Sequence, residues 1–314
     1  MYPTPRTHGV SAEPRISPTL ALVAAIVAVS TGAILVRWSE APSSVAAFYR
    51  VLFTGLPLLP IALWRYRDDF QRIQTPDLLF ATLAGIALAL HFATWFESLS
   101  WTSVAASVTL VQAQPIFVAI GASLLLRERV TPRMTVGIVI AVVGMVVMSA
   151  ADFFGGVLVG PRPIYGNALA LFAAIMAAGY ILAGRSLRQR IALVPYVVIV
   201  YGVCTISLLI IVVLEGHAFT GYPAREWVLF IALAVGPGLI GHTVINWALA
   251  HIESSIVSVS LLGEPIGASM LAIVLLAEFP TMYTVAGAVV VLTGIFVTAA
   301  ETDPPSLQPT RRRE

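Results

Sequence analysis

The chain contains an internal repeat, and each copy of it holds an odd number of apolar segments. Nine residues of the first half recur in the second half at an offset of 151, which becomes 150 after one gap. They are Gly85, His91, Ser103, Ser107, Pro115, Glu128, Thr131, Gly137 and Gly144 in the first half, and Gly236, His242, Ser254, Ser258, Pro265, Glu278, Thr281, Gly287 and Gly294 in the second. If each copy crosses a bilayer five times, the second copy inserts upside down relative to the first. Inverted copies of this kind are a common architecture among secondary transporters.

The composition is typical of a chain that lies in a membrane. Hydrophobic residues make up 58% of the sequence and charged residues 11%, whereas soluble domains average about 25% charged residues. A transmembrane helix needs roughly 20 apolar residues. Ten segments of this kind can be counted, here called spans 1 to 10, at 17–38, 42–65, 76–97, 103–126, 132–151, 164–184, 194–214, 226–247, 254–277 and 281–300. The predicted fold is an all-α integral membrane protein with ten transmembrane helices, arranged as two inverted five-helix repeats around a central cavity.

The arginines indicate how the chain is oriented. Cytoplasmic loops carry an excess of basic residues, and a cytoplasmic N-terminus places fourteen of the eighteen arginines inside and three outside, with Arg50 within span 2. We therefore expect a multi-pass protein of a bacterial inner membrane with both termini in the cytoplasm. We expect a first five-span repeat over 17–151 and an inverted second repeat over 164–300. The segments 1–16 and 301–314 are rich in Pro, Ser, Thr and charge, and we expect them to be disordered cytoplasmic tails.

Several classes of protein have no support in the sequence. All basic residues are arginine, so the chain has no Walker A lysine and no lysine for a Schiff base. It contains no H-E-x-x-H or G-x-S-x-G motif, and we expect neither catalytic residues nor an enzymatic activity. No carboxylate or cysteine lies at ligand spacing from the membrane histidines, so we expect no metal and no cofactor. The single cysteine, Cys204, is interpreted as a small buried hydrophobic residue.

Glu264 is the most informative ionisable residue, because polar groups in a bilayer interior are costly. It lies about ten residues into span 9 and directly before Pro265, and span 4 carries Gln114 and Pro115 at the matching positions. Each proline removes a helix hydrogen bond and should free a carbonyl one turn earlier, at Val111 and Leu261. Pro115 and Pro265 are therefore predicted gating or hinge residues. Glu264 is interpreted as a proton carrier or a ligand for a substrate amine, or else as a protonated group that holds helices together.

Two histidines form a second group of polar residues. His91 and Trp95 lie one turn apart in span 3, and His242 and Asn246 do so in span 8. Span 8 also carries Gly236, Pro237 and Gly238, which predict an interrupted helix that exposes backbone groups and serves as a hinge. These four side chains are predicted either to line a substrate cavity or to bond neighbouring helices. Arg50 could fix the fold, bind an anion or extend to the interface, and we interpret it as structural.

With these motifs, the chain resembles the drug/metabolite transporter superfamily, specifically its EamA-type ten-span exporters. The motifs are Pro115 followed by Glu128, Thr131, Gly137 and Gly144, and Glu264-Pro265 followed by Glu278, Thr281, Gly287 and Gly294. Within the superfamily the chain is similar to bacterial exporters of aromatic amino acids. The resemblance implies that spans 1, 3, 4, 6, 8 and 9 line the cavity, which adds four candidate substrate-binding residues: Gln112, Gln114, Tyr180 and Ser260.

The resemblance and the residues together predict a secondary transporter that exports small metabolites, with aromatic or neutral amino acids first, by alternating access. Its expected partners are a small-molecule substrate and the lipid bilayer, with no nucleic acid, and we expect it to work as a monomer. Two alternatives stay open: an exporter of drugs, nucleosides or other metabolites with the same fold, and a structural subunit of a membrane complex. A membrane enzyme acting on lipid would need a polar catalytic cluster at one interface, and the sequence shows none.

Overall fold

The computed structural model describes residues 17–126, 131–153, 160–188, 190–241, 244–245 and 260–299, and every secondary-structure element in these ranges is helical. Single helices form six of the spans: Pro18–Trp38 is span 1, Thr75–Trp101 span 3, Pro132–Phe153 span 5, Pro163–Leu187 span 6, Leu193–Leu214 span 7 and Met282–Ala299 span 10. The described part of span 9 begins at Ser260 and contains a turn at 261–262 followed by the helix Gly263–Leu276. Seven segments are long and apolar enough to cross a bilayer, and three shorter apolar helices complete the ten. The tails 1–16 and 301–314 lie outside the described residues.

The other three spans each consist of two consecutive helical pieces. Span 2 comprises Ser43–Gly55 and Leu58–Arg65, and the short helix Arg67–Gln71 follows it. Span 4 comprises Val104–Val111 and Gln114–Leu126. Span 8 comprises the α-helix Ala224–Leu233 and the π-helical segment Ala234–Gly241. The divisions of spans 2 and 4 lie next to Pro57 and Pro115, and Pro237 lies inside the second piece of span 8, as expected from the loss of a backbone donor.

The interruption predicted in span 8 is a π-helical segment rather than an open break. Pro237 lies inside it, and Pro237, Gly238 and Gly241 are buried. A π-helix accommodates an extra residue within a helical turn, so the chain passes the proline without unwinding. The expectation for Leu261 is wrong, because its carbonyl accepts a hydrogen bond from the Glu264 N–H at 3.0 Å. The tight turn before the helix Gly263–Leu276 therefore pairs the Leu261 carbonyl that Pro265 would otherwise leave without a donor.

The packing of the spans follows a two-fold symmetry that exchanges span 1 with span 6, span 2 with span 7, and so on. Span 3 packs on span 6, and span 8 packs correspondingly on span 1. Span 4 packs on span 6, and its counterpart span 9 packs on span 1. In the same way, span 3 packs on span 7 and span 8 packs on span 2. Spans 5 and 10 pack on each other across the axis. The two repeats are therefore equivalent structural units.

The hydrogen bonds at one end of the bundle show that the two repeats run in opposite directions. Arg37, at the end of span 1, binds Glu278, which follows span 9. Thr102, which follows span 3, donates to Asn167 in the first turn of span 6 at 2.8 Å. Ser39 donates in the same way to Glu226 in the first turn of span 8. We call this the Glu278 end. Spans 1 and 3 end there while their counterparts, spans 6 and 8, begin there, which establishes the inverted arrangement.

Repeated glycines bring spans 5 and 10 into backbone contact. A Cβ atom added at Gly137 would lie 2.8 Å from the carbonyl oxygen of Gly294, and one added at Gly144 would lie 2.8 Å from that of Gly287. These are reciprocal pairs under the repeat, since Gly137 corresponds to Gly287 and Gly144 to Gly294. Small residues allow membrane helices to approach closely. The glycines therefore join the two repeats at one symmetric seam, while valines such as Val139 and Val146 on the same helix face outward.

Candidate functional site

A hydrogen bond between Gln112 and Glu264 joins the two repeats in the interior of the bundle. The Gln112 Nε2 atom donates to Glu264 Oε2 at 2.6 Å. Gln114 Nε2 in turn donates to Gln112 Oε1 at 3.3 Å. Gln112 ends the first piece of span 4, and Glu264 lies in the first turn of span 9, so both side chains come from the proline-associated discontinuities. The inversion thus brings the two symmetry-related turns together around one carboxyl group.

Span 1 lies against the same carboxyl-bearing residue. The Ser30 hydroxyl donates to the backbone carbonyl of Ile26 at 2.7 Å and approaches the backbone carbonyl of Glu264 at 3.3 Å. Ser30 is buried, whereas Glu264 is half-buried. Span 1 therefore fixes the backbone of Glu264 and leaves its side chain to interact with span 4.

Arg50 lies among aromatic rings rather than beside a carboxylate. Its side chain is buried in span 2, and its guanidinium carbon lies 4.3 Å from the ring centroid of Phe92, 5.6 Å from that of Phe96 and 5.7 Å from that of Trp95. The faces of aromatic rings attract cations, which stabilises the charge in this position. The Nη1 group of Arg50 nevertheless has no hydrogen-bond partner among the described residues.

Trp95 lies at the junction of spans 1, 3 and 8. Its ring stacks on that of His91, with 5.9 Å between centroids, and its Nε1 group is buried without a hydrogen-bond partner among the described residues. The far edge of its indole and the ring of Pro237 both approach Gly32 of span 1. A Cβ atom added at position 32 would lie 3.6 Å from Pro237 and 3.8 Å from Trp95, which is ordinary van der Waals contact. Trp95 and the π-helical segment of span 8 thus pack near the same point of span 1.

His91 connects spans 3 and 6. Its Nδ1–H donates to the backbone carbonyl of Ala173 at 3.0 Å, and its ring packs edge-on against Phe92 at 4.9 Å between centroids. The hydrogen bond fixes the orientation of the imidazole, because the other ring nitrogen must then point away from span 6.

The other predicted substrate-binding and hinge residues are distributed over spans 4, 6, 8 and 9. Tyr180 of span 6 packs against the main hydrophobic core. Ser260 is half-buried in the turn that leads into span 9. The predicted residues His242 and Asn246 lie outside the described residues, as does Glu128. The hinge residues Pro115 and Pro265 both lie within the first turn of a helical piece.

A network of charged groups holds the Glu278 end together. Glu278 Oε2 lies 2.6 Å from Arg37 Nη2, and Glu278 Oε1 accepts the backbone N–H of Val104 at 2.5 Å. Arg37 Nη1 donates to the carbonyl of Leu99 at 2.7 Å. Glu278 belongs to the second repeat and its partners to the first, so one carboxylate ties the ends of spans 1 and 9 to the start of span 4.

Two cavities open at the Glu278 end. The first, of about 270 Å³, lies between spans 1, 2, 3 and 9, and is lined by residues that include Arg37, Ala46, Ser100 and Leu276. The second, of about 720 Å³, is polar and is lined in part by Glu97, Glu215 and His217. Neither of these two cavities is lined by Arg50, Trp95 or Glu264. The interior polar residues are therefore not reached through these two cavities in this conformation.

Comparison with known proteins agrees with this architecture. The EamA-like transporter family matches the chain twice, over residues 16–150 and 164–300. The chain belongs to the EamA-like transporter family. It is a multi-pass membrane protein of a transporter family, and the two matched regions correspond to the two repeats that the packing relates by symmetry.

Individual relatives and a solved structure are consistent with this family. One protein of Archaeoglobus fulgidus, described as an uncharacterized transporter, is 31% identical over 190 residues, which are 60% of this chain and 64% of that protein. A second uncharacterized transporter of the same organism is 23% identical over 81% of this chain and 87% of its own length. A crystal structure with 20% identity superposes with a TM-score of 0.58 over 89% of this chain and 95% of the other. At this identity, the match to the solved structure shows a similar fold only.

Two features of this EamA-family chain were not identified from the sequence. The sequence marks Arg50 as a costly residue of span 2 but not its neighbours, and the structure places it among the rings of Phe92, Trp95 and Phe96. The spacing of His91, Phe92, Trp95 and Phe96 forms an aromatic face on span 3 that could have indicated its surroundings. The pairing of Arg37 with Glu278 joins residues 241 positions apart, and no local pattern indicates it.

Proposed function

We propose that this EamA-family transporter exports small zwitterionic metabolites, with amino acids first and aromatic or neutral ones among them, by alternating access. The observation that supports the proposal best is the Gln112–Glu264 hydrogen bond between the two inverted repeats. A carboxyl group there can neutralise a substrate amine or carry a proton. The rings of His91 and Trp95 stack on each other in span 3, and aromatic rings of this kind are suited to contact the apolar body of a substrate.

The proposal includes the orientation of the protein in a bacterial inner membrane. Among the described arginines, Arg37, Arg162 and Arg225 lie at the Glu278 end, and the arginines from Arg65 to Arg72 and from Arg185 to Arg190 lie at the other. The positive-inside rule then assigns the Glu278 end to the periplasm. In this orientation the charged network closes the periplasmic side, which is the state that alternating access requires before release of an exported substrate.

Counterflow in proteoliposomes tests the proposal. The purified full-length chain is reconstituted, the vesicles are loaded with one unlabelled compound, and uptake of the labelled compound is followed. We expect accelerated uptake for phenylalanine or another neutral amino acid and none in vesicles without protein. Accelerated uptake of a nucleoside or sugar, with none for any amino acid, would assign the protein to the alternative group of exporters. No flux of any member of the panel would favour a non-transporting subunit.

A further inference from the structure

We propose that the Nη1 group of Arg50 and the Nε1 group of Trp95 together form the binding site for the carboxylate of the substrate. This assignment rests on the proposed function and names the part of the substrate that these two residues recognise. Both groups are buried N–H donors without a hydrogen-bond partner among the described residues, and both belong to side chains less than one-tenth exposed. Nearly all buried donors in proteins have partners. Two adjacent exceptions indicate that an acceptor belongs between or beside them.

The required acceptor is an anion. Arg50 forms no ion pair within 4.0 Å among the described residues, and aromatic rings occupy the positions around its guanidinium. A cation held only by ring faces keeps its in-plane N–H groups available, because the ring attraction acts perpendicular to that plane. The indole N–H of Trp95 is also a donor and cannot satisfy the guanidinium. A carboxylate has two oxygens, which can accept one N–H from each residue.

The position of Glu264 distinguishes a zwitterion from a simple anion. Glu264 and Arg50 form no ion pair within 4.0 Å, and Glu264 is instead hydrogen-bonded to Gln112. Because neither group pairs with the other, each is left to face the opposite charge of a molecule that carries both charges. In such a complex the ammonium group of an amino acid faces Glu264 and its carboxylate faces Arg50. Each buried charge then has a counterion, which lowers the cost of burying all four.

The test compares phenylalanine with one compound that lacks the charged carboxylate and one that lacks the amine. Labelled phenylalanine is exchanged in proteoliposomes that contain the full-length chain, and phenylalaninamide and 3-phenylpropionate are used as competitors. For the natural sequence we expect phenylalaninamide to compete at least tenfold more weakly than unlabelled phenylalanine, because it lacks the charged acceptor. The second competitor retains the carboxylate and lacks the amine, so it reports on Glu264.

Two variants and one control assign the effect to the two donors. Arg50→Met should weaken competition by unlabelled phenylalanine roughly tenfold to a hundredfold and leave competition by phenylalaninamide nearly unchanged. The two compounds should then compete equally. Trp95→Phe keeps an aromatic ring and removes the indole N–H. It should weaken competition by unlabelled phenylalanine by up to about tenfold. The control, Arg225→Met, removes an arginine that is exposed at the Glu278 end and should leave the ratio of the two compounds unchanged.

The outcomes separate this inference from the proposed function. If phenylalanine is exchanged but both variants keep the natural sequence's ratio of competition by phenylalanine to competition by phenylalaninamide, the assignment of the carboxylate site is wrong. The proposal of amino-acid transport then still stands. If Arg50→Met is not monodisperse on gel filtration, Trp95→Phe decides, since an unchanged ratio in that variant alone contradicts the assignment. If the natural sequence exchanges no amino acid at all, the proposed function and this inference fail together.

Discussion

Removal of the Glu278 charge should open the end of the bundle that this residue holds closed. In Glu278→Gln the amide can still accept the Val104 N–H, but the ion pair with Arg37 is lost. Breaking a buried ion pair by removing one partner costs about 3–5 kcal/mol. The side chain of Arg37 is 30% exposed and that of Glu278 is 7% exposed, so water compensates in part and about 2 kcal/mol is a reasonable value.

If the pair exists only while this end is closed, the whole of that free energy shifts the equilibrium between closed and open states. A change of about 2 kcal/mol corresponds to a factor of roughly 30 in the equilibrium constant. Ala46 lines the first cavity together with Arg37 and is 1% exposed. An Ala46→Cys reporter in a Cys204→Ala background should therefore react with a water-soluble maleimide up to roughly 30-fold faster when Glu278→Gln is added.

The matched control is Glu40→Gln, which removes a carboxylate at the same end of the bundle. Glu40 is 82% exposed and pairs with Arg225, which is 56% exposed. Surface pairs of this kind contribute about 0–1 kcal/mol, so the labelling rate should change little. Equal labelling rates in the parent, Glu278→Gln and Glu40→Gln proteins would refute the assignment of the Arg37–Glu278 pair as a closing contact.

Three further predictions concern coupling, packing and orientation. Glu264→Gln should fold normally and lose any dependence of transport on a proton gradient; retention of that dependence in proteoliposomes would exclude Glu264 as the proton carrier. Gly144→Ala should lower the free energy of unfolding by about 1–3 kcal/mol because its Cβ meets the Gly287 carbonyl, whereas Gly202→Ala, which meets nothing within 4 Å, should cost little in a denaturant titration. Reporter fusions should place both termini in the cytoplasm, and a periplasmic signal from either fusion would contradict the arginine-based orientation.

The parts of the fold that were predictable from the sequence depend on local pattern. Apolar length and the 151-residue offset predicted ten spans in two copies, because every transmembrane helix must satisfy its own backbone and present apolar side chains to lipid. The breaks near Pro115, Pro237 and Pro265 were predicted for the same kind of reason, since proline lacks a backbone donor. The form of each break was not predictable: span 8 became π-helical, and the turn before Glu264 used the Leu261 carbonyl.

The candidate site was only partly accessible from the sequence. Glu264 and His91 could be identified because a polar residue inside an apolar span is costly wherever its neighbours lie. The partners of these residues could not, since Gln112 and Glu264 are 152 positions apart and meet only when the two repeats face each other. The same is true of Arg50, because its aromatic surroundings and the lack of an ion pair with a described carboxylate depend on which helix packs beside span 2.

The sequence by itself therefore determined the class, the number of spans, the inverted repeats and a short set of unusual polar residues. These properties follow from the transfer of each segment into lipid, which depends on that segment alone. Only the tertiary structure decided which charges meet and which do not. Pairing of Arg37 with Glu278, and the separation of Arg50 from Glu264, depend on contacts between helices that are distant in the chain and are brought together by the two-fold packing of the repeats.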